Sequence, residues 1–135
     1  MSLHPALFCI SVLTFVGYLI HAARHADTGV AQGRWKLPAA LSAAFLLFSI
    51  YTGWTEGPLG FLTEHTRTLW SNQIWFDLLL GVSIALWWML PRARARRMRI
   101  PLWLGLVAAT GNVGLLAMLA RLWWLEEHAA KDLVT

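Results

Sequence analysis

Four long apolar runs separated by short polar loops decide what this chain can become. They cover about residues 5–22, 37–54, 69–90 and 100–125. A helix rises ~1.5 Å per residue, so about 20 apolar residues cross the ~30 Å hydrocarbon core of a bilayer. The first run, PALFCISVLTFVGYLIHA, is just long enough. Its flanks are wrong for a cleaved leader: Met1 to His4 carries no lysine or arginine, and Arg24 follows the run. Pro38 and Pro101 fall in the first turns of the second and fourth runs, where a missing N–H costs little, and Pro91 closes the third. The fourth run, ~39 Å long as a helix, exceeds the hydrocarbon core and is expected to tilt or extend beyond it.

Charge is scarce. Hydrophobic residues make up 58% and charged residues 13%, about half the charged share of a soluble domain. Lipid takes the place of a polar shell in such a chain. The expected fold is an all-α membrane protein: four transmembrane helices in one bundle, forming a single domain over residues 1–135.

Orientation follows from where lysine and arginine fall. Loops 23–36 and 91–99 hold Arg24, Arg34, Lys36, Arg92, Arg94, Arg96, Arg97 and Arg99, eight of the eleven basic residues. These loops are therefore expected in the cytoplasm of a bacterial cell, with the protein in its inner membrane. The opposite side collects Glu56, Glu64, Glu126, Glu127 and Asp132, which puts both termini on the non-cytoplasmic face. The nine tryptophans divide in the same way, as interfacial rings should: Trp35, Trp87, Trp88 and Trp103 at inner ends, and Trp54, Trp70, Trp75, Trp123 and Trp124 at outer ends. A pI near 10.0 suggests nucleic acid in a soluble protein. Here PRARARRMR lies between two expected spans, where it is expected to act as a topogenic loop with a secondary attraction to anionic lipid headgroups of ~1 kcal/mol per basic residue. In the second loop, residues 55–68, Gly57 and Pro58 turn the chain, and Leu59, Phe61 and Leu62 can lie along the interface.

Asp77 is the residue with the most to explain, because a carboxylate within a span faces the bundle and finds a partner. Arg121, near the outer end of the fourth run, is the expected partner, beside the small-residue face of Thr110, Gly114 and Ala117. Gln73 lies one turn from Asp77. A polar seam of Gln73, Asp77, Asn112 and Arg121 would lock the third helix to the fourth, or else serve an ion or charged ligand. His21 and His25, spaced i, i+4, can face one metal or one tetrapyrrole, although no third ligand stands between them. His4, His65 and His128 lie in three separate segments, and no metal site is expected of them. Cys9 is the lone cysteine, within an apolar run, and reads as packing. No phosphate loop, Ser/His/Asp set, CxxC or catalytic carboxylate pair is present.

The stretch from WFDLLLGVSIALWWML through RARRMRIPLW to ARLWW resembles DUF2834, a bacterial family of small multi-span membrane proteins known only as a domain of unknown function. The matching positions are Asp77, Trp88, Met89, Arg96, Arg97, Trp103 and Arg121, from the second span onward. The resemblance implies a multi-span fold and no activity.

The expected role is a non-catalytic accessory subunit that packs against a larger membrane complex and its lipids or pigments. It needs no cofactor and no nucleic acid. Two alternatives stand beside it: a small oligomeric transporter or channel using Asp77, and a haem- or chlorophyll-binding subunit using His21.

Overall fold

The computed structural model describes residues 3–25 and 32–132, and every regular element among them is an α-helix. The order is α1 (Leu3–His25), α2 (Lys36–Glu56), α3 (Gly60–Thr66), α4 (Leu69–Ala95), α5 (Ile100–Thr110) and α6 (Asn112–Asp132). The chain divides into two compact units, Met1–Ala31 and Gln32–Thr135.

The first unit is α1. Its apolar stretch Cys9–His21 presents Ile10, Leu13, Phe15, Leu19 and Ile20 at the surface. Cys9 is exposed as well.

In the second unit, α2 and α4 are long and apolar enough to cross a membrane. Thr68 caps α4 by accepting the Ser71 N–H at 3.1 Å, the usual service of a threonine to an orphan first-turn amide. Helix α4 does not stop at Pro91, as the sequence suggested. It continues to Ala95, because a proline removes one hydrogen bond while its φ stays helical. Its end is a Schellman turn, in which Arg97 donates to the Arg94 carbonyl at 2.9 Å and Met98 to Ala93 at 3.0 Å. Arg97 occupies the left-handed position at φ 54, where glycine is the usual residue.

The fourth apolar run is corrected in kind. It is two helices, not one, broken at Gly111, whose φ of 59 and ψ of −126 belong to glycine alone. Helix α6 turns back along α5: a Cβ on Gly114 would stand 2.8 Å from the Leu106 carbonyl oxygen and from Thr110 Oγ1. In a continuous helix Gly114 and Leu106 would be separated by about 12 Å of rise. Thr110 Oγ1 donates to the Leu106 carbonyl at 2.7 Å, and the Gly111 N–H donates to Val107 at 2.7 Å. From α2, Ser42 Oγ donates to the Val113 carbonyl at 2.9 Å. The backbone at the turn is thus hydrogen-bonded from within and from a neighbouring helix.

The core lies at one end of this unit. Met89 and Ala93 of α4 meet Met118 and Leu122 of α6, with Met98, Ile100, Trp103, Leu115 and Leu119 packed around them. Beyond that cluster, α2 from Phe45 to Trp54 and α4 from Leu69 to Ile84 carry large apolar side chains on open surface. At the far end, α3 folds against the start of α4, with Phe61 and His65 on the ring of Trp75 at 6.1 and 4.7 Å. Leu59, Phe61 and Leu62 remain exposed.

Candidate functional site: a carboxylate clamp at the basic end

The hairpin brings the end of α6 back to the end where α2 begins and α4 finishes. Glu126, only 9% exposed, accepts from Arg92 through both oxygens, Nε to Oε1 at 2.9 Å and Nη2 to Oε2 at 2.7 Å. Its Oε2 also accepts from Arg34. One carboxylate therefore binds the turn before α2 and the last turns of α4 to α6. The fork of Arg92 matches the carboxylate plane, which makes this the stronger kind of ion pair.

Glu127, 5% exposed, ties down the same turn by its other handle. Its Oε2 accepts the Gly33 backbone N–H at 2.8 Å, and its Oε1 accepts from Lys131 Nζ at 3.0 Å. The Gly33 hydrogen bond, then Lys131, hold the Glu127 carboxyl below its ordinary value of 4.5. Trp123 lies under Arg34, whose guanidinium carbon is 5.1 Å from the ring centroid, a cation–π contact on the buried flank of the ion pair. Arg34 Nε and Trp123 Nε1 are buried with no protein acceptor.

This arrangement overturns the assignment of Glu126, Glu127, Trp123 and Trp124 to the end opposite the basic loops. The physical cause is the break at Gly111, which sends α6 back to the end it came from. Arg92 is accordingly a clamp residue. Arg94, Arg96, Arg97 and Arg99 are exposed and pair with no carboxylate among the described residues.

The proposed polar seam is not assembled. Gln73 and Asp77 share an exposed face of α4, and no partner side chain reaches Asp77 among the described residues. Arg121 instead lies over Trp124, its guanidinium carbon 4.5 Å from the ring centroid. Asp77 precedes Arg92 by fifteen residues and Arg121 precedes Glu126 by five. With Arg92 and Glu126 at one level, the two differ by about 15 Å along the helices, beyond an arginine's reach. Asn112 opens α6 at the turn and is half-buried.

His21 sits half-buried near the end of α1, while the side chains of His4 and His25 lie outside the described residues. His65 Nδ1 is 2.6 Å from the Phe61 carbonyl, and His128 Nδ1 is 2.8 Å from that of Trp124. No group of three or more His, Cys, Asp or Glu among the described residues is placed to hold a metal ion.

The clamp residues carried one signal in the sequence. A fourth run longer than a bilayer needs, with Thr110-Gly111-Asn112 inside it, has turn chemistry in its middle. A search of family models, curated proteins and solved structures finds no match.

Proposed function

We propose that this protein is a non-catalytic integral membrane subunit, held in the bilayer by α1, α2 and α4 and packing against other membrane proteins and their lipids. The observation that carries the reading is the open apolar surface of α2 and α4, from Phe45 to Trp54 and from Leu69 to Ile84. Water would not tolerate a surface of that length, and lipid or a partner helix would cover it.

The membrane arrangement we propose differs from a four-helix crossing with both termini outside. The α5–α6 hairpin enters from the basic side and returns to it. Helix α5, 11 residues long, reaches ~16 Å, about half the hydrocarbon core. Non-helical backbone at that depth is tolerated only inside protein, and Ser42, Val107 and Leu106 supply such contacts around Gly111. The polar end of α6, Glu126 to Asp132, then stands in the cytoplasmic interface with the basic loops, and Arg121 reaches that interface along Trp124.

Two measurements test this. Alkaline washing should leave the protein in the bacterial inner membrane, and mild-detergent purification should recover the same partners repeatedly; a lone monomer argues against a subunit. A reporter fused after Asp132 should read the cytoplasm, and a periplasmic signal would refute the hairpin. A transporter or channel is the second reading, favoured by Asp77, which pairs with no side chain among the described residues, on an apolar helix. It requires Asp77→Asn to abolish flux in a protein that still folds.

A further inference from the structure

The clamp engages Glu126 and Glu127 and leaves a surplus of cations among the described residues. Arg34 and Arg92 share Glu126, and Lys131 takes Glu127. Arg94, Arg96, Arg97 and Arg99 are all exposed with no acidic partner among the described residues. They are presented by a fixed turn. The Arg97 and Met98 amides close the end of α4, and Met98 is packed into the core beside Ala93. The same turn ends a lipid-length apolar helix whose Trp87 and Trp88 are open to the surroundings, as indole rings at a headgroup boundary are. Arg97 also holds its charge in a backbone position that favours glycine. A loop that served only to set orientation would need its charge count and no particular geometry.

We propose that the Arg94–Arg99 turn is a binding surface for the phosphate groups of anionic phospholipids in the cytoplasmic leaflet. This rests on the membrane reading above. Guanidinium forks suit phosphate oxygens, and the free groups flank a segment already seated at the interface. The partner is a lipid because the turn continues an apolar helix whose exposed flank would lie among acyl chains while the arginines meet the phosphates.

The test uses the full chain in nanodiscs and mixed micelles. Phosphatidylglycerol should bind in preference to phosphatidylcholine and raise the melting temperature, and it should be retained through native mass spectrometry. A triple variant, Arg94→Gln with Arg96→Gln and Arg99→Gln, should lose on the order of 10²-fold in phosphatidylglycerol affinity at low salt, about fivefold per charge. Each single variant should lose about fivefold, which keeps the test open if the triple variant fails to fold. Equal binding of both lipids, or an unchanged preference in the variants, overturns the proposal. So does displacement of the lipid by millimolar inorganic phosphate, which would mark a site for the free ion, or by a duplex oligonucleotide. A protein that washes off membranes refutes the membrane reading itself, whereas a membrane-bound protein without lipid preference refutes this inference alone.

Discussion

Replacing Glu126 by glutamine tests the clamp and the hairpin together. Glutamine keeps the shape and one acceptor but removes the charge that Arg34 and Arg92 share. Breaking a buried ion pair costs roughly 3–5 kcal/mol, because the remaining charge is left uncompensated. The Arg34 and Arg92 side chains are 21% and 46% exposed, so water screens part of that loss, and about 2–3 kcal/mol is expected. In a chain of this size, the melting temperature in detergent should fall on the order of 5–15 °C. The decisive assay is a double-mutant cycle of Glu126→Gln with Arg92→Gln, read by thermal or denaturant unfolding. Paired side chains should show a coupling of about 1–3 kcal/mol. A coupling near zero would mean that the end of α6 does not meet the end of α4. The fourth apolar run would then cross the membrane as one helix, and both the clamp and the hairpin would fall.

Three further substitutions address the backbone and the acid side. Gly114→Ala should destabilise by about 1–3 kcal/mol in the same melt, since its methyl would press on the Leu106 carbonyl 2.8 Å away; an unchanged melt would show that α5 and α6 do not approach so closely. Arg97→Gly should stabilise by about 0.5–1 kcal/mol, by relieving a left-handed arginine at φ 54, and a loss of stability would contradict the strain. Because the Glu127 carboxyl is held below 4.5 chiefly by the Gly33 N–H, its contribution is fully present above that pH. It fades as pH falls through the depressed value. Glu127→Gln should flatten the acid limb of a melting-temperature profile below pH 4.5, and an unaltered limb would remove Glu127 as its source.

Much of the helical architecture was legible in the apolar runs, and the places where it was not are instructive. Runs 37–54 and 69–90 fall inside α2 and α4, because in such stretches the apolar length alone dictates a helix. Pro91 looked like a terminator, yet its φ is helical, and the charged residues after it extend α4 by one more turn. Gly111 was the larger loss. Thr110, Gly111 and Asn112 sit between Leu106–Ala109 and Leu115–Leu116, so the window stays apolar on average and the break shows only as that short polar interruption. Once the break is missed, Asp77 and Arg121 fall at matching depths and Glu126 goes to the wrong end. The clamp itself depends on residues 92 positions apart, a separation that no local pattern can report.

That separation also orders events during synthesis. Glu126 is made 92 residues after Arg34 and 34 after Arg92. At ~5–20 residues per second, the first arginine waits roughly 5–20 s for its acceptor. In the membrane arrangement proposed above, α2 and α4 are threaded into the bilayer during that interval, before Glu126 can pair with Arg34 or Arg92. On that arrangement, the carboxylate that later pairs with both arginines arrives too late to weaken the charge asymmetry that would set their direction. A residue that would blur the orientation signal if it came early instead fastens the finished structure.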